Sequence, residues 1–326
     1  MSCAASSCCW PFCSTTCARP PLADAFSSRM SSDVLPLSNG ELLIELSRFG
    51  GSILSGSYCG VPIFRSTPTG GLASQHHGQE ASFPLVPFGN RLEGNSFTFS
   101  GNRFVLAPNA IDPCYLHGDG WLAAWQVVSH GETEAFLRYV HEAVAPNPYA
   151  YEAVQRFTVE DDRLTVTLSV TNRSGFALPI GLGHHPFFPR TAGTRLIAKA
   201  ERFWTEREGH LPDRPGPIPH TLEFERGNLL PRRWLNNAYE GWDGKAVIEW
   251  PEHDLYLEID AQPVFGHFML YSPADADFFC FEPMTHLPNG HHLAGLGGLT
   301  IVEHGQSLTG MLTFSPRPIS SLKDLE

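Results

Sequence analysis

The sequence predicts an all-β fold, a large antiparallel sandwich or barrel, on three observations. Apolar residues alternate with polar ones at period two in many short stretches, as half-buried strands require. Turn formers are plentiful, with 30 Gly and 27 Pro in 326 residues, and only 17% of residues are charged, a balance that suits strands and turns better than long helices. Turn signals recur at short intervals, and no repeat or low-complexity linker breaks residues 30–326. A single domain over 30–326 is the simplest organisation, and a chain of this size builds its core without disulfides or metal.

The elements follow in chain order. Residues 1–29 are rich in Ser, Cys and Ala and hold five of the eight cysteines, Cys3, Cys8, Cys9, Cys13 and Cys17. No histidine or paired Cys-x-x-Cys accompanies them, so a zinc site is not indicated. The start lacks the basic residues and clean apolar run of a secretory signal. A disordered extension, or a start placed ahead of Met30, is the expectation. Phe97 and Phe99, the turn Ser100–Arg103 and Phe104–Leu106 read as a hairpin. Residues 135–145 are the best helix candidate, ending before Pro146. Residues 164–170, Leu-Thr-Val-Thr-Leu-Ser-Val, alternate strictly and read as a strand. Residues 246–250 and 255–259 read as a second hairpin around Pro251–Asp254, and 308–314 are again extended.

Charge and composition exclude several function classes. Net charge is −12, and no Lys/Arg cluster offers a footprint for nucleic acid. No run of 18 or more apolar residues could span a membrane as a helix. Beyond residue 29 only Cys59, Cys114 and Cys280 remain, too few and odd in number for a disulfide framework, which points to a reducing compartment, the cytoplasm. Fifteen histidines include the doublets His76-His77, His184-His185 and His291-His292. Neighbours on a strand face opposite ways, so a doublet does not chelate, and no metal is expected. The Gly-x-Ser-x-Gly elbow, the phosphate-cradling Gly-x-x-x-x-Gly-Lys and the dinucleotide fingerprint are missing.

Four patches carry polar chemistry. Read as one strand, residues 176–188 put Phe176, Leu178, Ile180, Leu182 and His184 on one face and Ala177, Pro179, Gly181, Gly183 and His185 on the other. The second face is bare beside its histidine, as where a ligand approaches a backbone; His185 is thus either functional or a hydrogen-bonded strand end. Glu282 closes the apolar run Phe278-Phe-Cys-Phe281, where burial would raise its pKa and make it a proton acceptor near neutrality, unless it is paired with Arg or caps a loop. Asn90-Arg91 follows the Pro-stiffened 83–89 and offers fixed donors for hydroxyl oxygens. His117-Gly-Asp-Gly-Trp121 groups an imidazole, a carboxylate and an indole on a flexible loop, the mixture that holds hydroxyl-rich ligands.

In order along the chain, Phe-Pro-Leu-Val-Pro-Phe-Gly-Asn-Arg (83–91), His-Gly-Asp-Gly-Trp (117–121), Gly-Leu-Gly-His-His-Pro-Phe-Phe (181–188), Gly-Trp-Asp-Gly (241–244) and Phe-Glu-Pro-Met-Thr-His (281–286) resemble the aldose 1-epimerase (galactose mutarotase) family over 35–315. The resemblance implies the galactose mutarotase-like β-supersandwich and the interconversion of α and β anomers of a free hexose, with no cofactor. It implies Glu282 as catalytic base and His185 as catalytic acid. It also implies His117 near the ring oxygen, Arg91 as a hydroxyl ligand with Asn90 beside it, and Asn236 where the family carries an aspartate. On this reading Glu282 should keep the lower pKa and His185 one near or above neutrality, the two facing each other across a sugar-sized gap. The implied partner is a small sugar, with no nucleic acid or membrane; monomer and homodimer are equally compatible. Two alternatives stand beside it. A hexose-6-phosphate epimerase of the same fold would resemble His-Gly-Phe-Ala-Arg at the second motif, which here reads His-Gly-Asp-Gly-Trp. A non-catalytic carbohydrate-binding protein would need no acid/base pair.

Overall fold

The computed structural model describes residues 33–67 and 78–321. The segment 1–29 and the doublet His76-His77 lie outside the described residues, and contacts divide the chain into units 1–31 and 32–326. Unit 32–326 is built almost entirely of antiparallel strands with short 3-10 turns between them. This bears out the all-β reading, and among the described residues no helix is long and apolar enough to cross a membrane.

Among the described residues two large sheets dominate. The nine-stranded sheet runs Gln126–His130, Glu134–His141, Tyr151–Glu160, Arg163–Asn172, Ser307–Pro318, Leu255–Ala261, Lys245–Trp250, Arg195–Ala198 and Asn228–Leu229. The eight-stranded sheet runs Leu211–Gly216, Arg202–Arg207, Leu235–Glu240, His267–Ser272, Phe278–Met284, Gly183–His184 and Pro84–Leu85, with Phe187–Pro189 also paired to Phe278–Met284. A four-stranded meander, Val34–Ser38, Leu42–Ser47, Ser52–Tyr58 and Val61–Phe64, precedes them.

Alternation explains how these sheets stack. Leu164, Val166, Leu168 and Val170 face inward from the nine-stranded sheet, and the hydroxyl residues between them pair across strands, as Ser169 does with Thr309 at 2.7 Å. Leu235, Tyr239, Phe268, Phe279 and Phe281 of the eight-stranded sheet join the same core, where Phe268 stacks on Phe281 at 4.4 Å. The intervening residues of that sheet, Ala238, Met269, Cys280 and Met284, point the other way into a second apolar cluster with Phe83, Leu85, Trp121, Phe187 and Trp204. The eight-stranded sheet therefore buries both faces, and Glu282 lies on the second one.

The two expected hairpins form, at Ser96–Phe99 with Asn102–Val105 and at Lys245–Trp250 with Leu255–Ala261. The helix expected over 135–145 does not. Glu134–His141 is a strand paired residue for residue with Tyr151–Glu160, with Ala135 and Leu137 turned into the core. A full ladder on one side and a shorter one with Gln126–His130 on the other hold the strand, and tertiary pairing overrides a weak helical preference. The stretch 176–188 is also not one strand. It divides into Leu178–Ile180, Gly183–His184 and Phe187–Pro189.

Candidate active site

Period two on Phe278–Met284 sets Cys280 and Glu282 on one face, two residues apart. The His185 backbone N–H donates to the Phe83 carbonyl at 2.9 Å, which fixes the start of the His-His-Pro segment against residues 81–89. The His185 ring lies between Phe83, 4.7 Å away at 24°, and Phe187, 4.8 Å away at 26°. So clamped, its Nε2 reaches 3.2 Å from Glu282 Oε1. The structure thus brings the two expected catalytic groups into direct contact rather than holding them apart across a gap.

Burial sets the electrostatics of this pair. Glu282 is 2% exposed and its Oε2 has no hydrogen-bond partner among the described residues. Desolvation pushes its carboxyl up to about 8, with Arg91 pulling in the opposite direction. Desolvation pushes His185 down to about 3, reinforced by Arg65. This reverses the expected order. An overall charge of −12 does not reach the imidazole because the groups around it are aromatic rings, and the nearby charges are guanidinium groups. The neutral carboxyl and neutral imidazole are the favoured state of the empty pair.

His185 opens onto a cavity of about 390 Å³ that it shares with His117, Phe83, Trp121, Tyr271 and Arg65. His117 sits 5.2 Å from His185 with the rings perpendicular. Its Nδ1 accepts the Asn90 backbone N–H at 3.1 Å, and the His117 backbone N–H donates to the Asn90 carbonyl at 3.0 Å. Burial drives His117 well below its usual value, so the ring is neutral with its proton on Nε2. Asn90 itself is buried, with φ of 61°, and its side-chain oxygen accepts the Arg91 N–H. Arg91 is fixed by Asp112, its Nε 2.9 Å from Oδ2. The carboxylate of the 117–121 motif, Asp119, accepts from the Tyr115 hydroxyl and lies 3.5 Å from His141, so it braces the loop.

Asn236 lies on the same sheet in register with Tyr271, which is in register with Cys280. Its amide donates to Glu206 Oε1 at 2.8 Å, and Trp234 donates to the other oxygen at 2.9 Å. Burial works against the Glu206 carboxylate, but these donors and His210 outweigh it and hold the group below its usual value. The Glu206 carboxylate of the neighbouring strand thus lies directly against the Asn236 amide.

Arg65 went unnoticed in the sequence. Its guanidinium covers Phe187 at 4.3 Å and Phe278 at 4.4 Å, donates to the Gln79 carbonyl at 3.1 Å, and leaves Nε buried without an acceptor among the described residues. A lone Arg at the end of Val61–Phe64 has no local signal; only the sheet pairing brings it to the cavity. Cys280 was also missed as a polar neighbour of the pair, although its period-two relation to Glu282 is legible.

Much of the remaining motif content is structural. Gly181 is bare because the His286 ring occupies the space of a side chain, not because a ligand does. Gly183 meets Leu85, Pro283 and Met284 in the same way. The open floor beside His185 is thus filled by protein. His286 Nε2 accepts the Gly89 N–H at 3.0 Å, tying the end of the Glu282 strand to the loop that carries Asn90. Trp242 lies in the main core with its indole on the Lys245 carbonyl. His291 stacks at 4.4 Å on Phe97 and bonds to the Tyr149 hydroxyl.

A galactose mutarotase-like protein from Clostridium acetobutylicum superposes with a TM-score of 0.74 at 16% identity, over 88% of this chain and 100% of that one, a likeness of fold. Residues 33–315 match the aldose 1-epimerase family, and the chain belongs to it. The uncharacterized protein YphB of Escherichia coli (strain K12) is 38% identical over 289 residues, 86% of this chain and 97% of that protein. A crystal structure from Escherichia coli K12, described as a "Putative aldose 1-epimerase", is 37% identical with a TM-score of 0.82, covering 87% of this chain and 99% of that one.

Proposed function

We propose that the protein is an aldose 1-epimerase acting on a free hexose, with Glu282 and His185 as the proton-transferring pair and no cofactor. The observation that carries this reading is the 3.2 Å contact between Glu282 Oε1 and His185 Nε2, with His185 lining a cavity of sugar size. Anomers interconvert when the C1 hydroxyl loses a proton and the ring oxygen gains one. The C1–ring oxygen bond breaks, the aldehyde rotates about C1–C2, and the ring recloses on its other face. Both oxygens belong to one carbon, so a base and an acid side by side reach them together.

The pair carries one proton. The resemblance gives Glu282 the base's part, which requires that proton to rest on His185 when the sugar is bound. Arg91 favours the carboxylate, and hydroxyl groups entering the cavity replace part of the lost solvation. Glu282 then takes the C1 hydroxyl proton while His185 protonates the ring oxygen; ring closure exchanges the roles and restores the pair. His117, neutral with Nε2–H, is suited to donate to the ring oxygen, and Arg91, Asn90 and Asn236 with Glu206 to position hydroxyl groups. Cys114 and Cys280 are free thiols, which agrees with a cytoplasmic location.

Arg65 supports a second reading. The Arg65 guanidinium lines the cavity and would welcome an anionic substituent, as in a hexose 6-phosphate. Polarimetry on freshly dissolved α-glucose, α-galactose and α-glucose 6-phosphate tests both. Acceleration of the free sugars supports the proposal, and acceleration confined to the phosphate supports the second reading. Sugar binding by calorimetry without acceleration of any of the three overturns both in favour of a binding protein.

A further inference from the structure

We infer that Glu282, His185 and Cys280 form a binding site for a soft divalent cation of the zinc class, in direct competition with sugar. Their donor atoms, one carboxylate oxygen, one imidazole nitrogen and one thiol sulfur, all lie within 4.8 Å of one another, and all three residues are buried. Two come from one face of a single strand and the third from a ring clamped between Phe83 and Phe187, so the strand and the imidazole are held in place before any ion arrives.

The donor set defines the ion. Zinc takes sulfur at about 2.3 Å and nitrogen or oxygen at about 2.0–2.2 Å in a tetrahedron, which puts neighbouring ligands roughly 3.5 Å apart. The 3.2 Å separation of Glu282 and His185 already meets that spacing. A rotation of the Cys280 side chain closes the rest. Calcium and magnesium prefer all-oxygen shells and have little use for a thiolate. Glu282 Oε2 supplies an independent sign: it is a buried carboxyl oxygen with no hydrogen-bond partner among the described residues. The cavity lined by His185 and His117 leaves a fourth position for water.

Binding releases two protons to solvent, one from the Cys280 thiol and one shared by Glu282 and His185, so affinity rises with pH. The metal occupies both atoms that move protons in the proposed reaction and is therefore an inhibitor. That consequence rests on the proposed function; the binding itself does not.

Cobalt(II) is the probe, added to the full chain, to Cys280→Ala and to Glu282→Gln. The parent should show a thiolate-to-cobalt charge-transfer band with the intense visible bands of a tetrahedral ion, displaced by zinc. Cys280→Ala should lose the part of that band due to this site, and Glu282→Gln should bind cobalt at least tenfold more weakly. The other cysteines are common to all three proteins, so the differences report Cys280 and Glu282 alone. Cys280→Ala removes a buried sulfur, and near-ultraviolet circular dichroism checks that it folds; Glu282→Gln tests the site from the other side. Equal bands and equal affinities in all three proteins overturn the inference. If the parent accelerates mutarotation, zinc should inhibit it at least tenfold more strongly than it inhibits Cys280→Ala. If the parent accelerates none, the cobalt spectra still decide the site and only the function falls.

Discussion

Glu282→Gln has a consequence for stability that follows from burial alone. The carboxyl, raised to about 8 in the fold from an ordinary 4.5, keeps its proton in the native state after the unfolded chain has lost it. The native state then binds more protons, and stability falls as pH rises through that window. His185, lowered from 6.5 to about 3, acts in the opposite sense, its contribution being complete above 6.5 and lost as pH falls toward 3. Between pH 6.5 and 8 only the Glu282 contribution of the pair changes. At about 1.4 kcal/mol per pH unit, that interval of about 1.5 units amounts to about 2 kcal/mol. A glutamine has the same shape and no proton to lose. Urea denaturation of parent and variant at pH 6.5 and 8 should therefore show the parent losing about 2 kcal/mol more than the variant. An identical pH dependence in the two proteins would refute the claim that this carboxyl is held protonated by desolvation.

The remaining expectations concern activity and packing. His185→Ala should slow mutarotation by about 10²–10⁴ while leaving near-ultraviolet circular dichroism unchanged; a full rate would remove the imidazole from the mechanism. The pH profile of kcat/KM should fall above about 8, where the free carboxyl loses the one proton that the pair needs; a rate that keeps rising through 8 would remove that proton from the mechanism. Gly181→Ala drives a methyl group into the His286 ring and should cost about 1–3 kcal/mol in thermal or urea unfolding. Arg65→Ala should raise KM for glucose 6-phosphate about ten- to a hundredfold, the loss of a charged hydrogen bond, and change KM for glucose less; equal changes for the two sugars would assign Arg65 to packing on Phe187 and Phe278.

The sequence by itself determined the fold class, because alternation and turn chemistry are local properties. Leu164 to Val170 reads as a strand from its own side chains, and so do both hairpins. It also determined the family, since five motifs in order carry Asn90, His117, His185 and Glu282 whatever their surroundings. What only the tertiary structure decided is how those residues meet. Glu134–His141 became a strand where a helix was expected over 135–145, because a partner ladder was available on Tyr151–Glu160. Gly181 proved to make room for His286, a residue 105 positions away, rather than for a ligand. Arg65 joined the site through sheet pairing that no local pattern announces, whereas Cys280 stands beside Glu282 by period two on one strand. The order of the two pKa values was inverted by desolvation, which is a property of everything packed around a group: Phe83 and Phe187 close over His185 from distant or neighbouring strands, and their exclusion of water outweighs the charge of the chain as a whole.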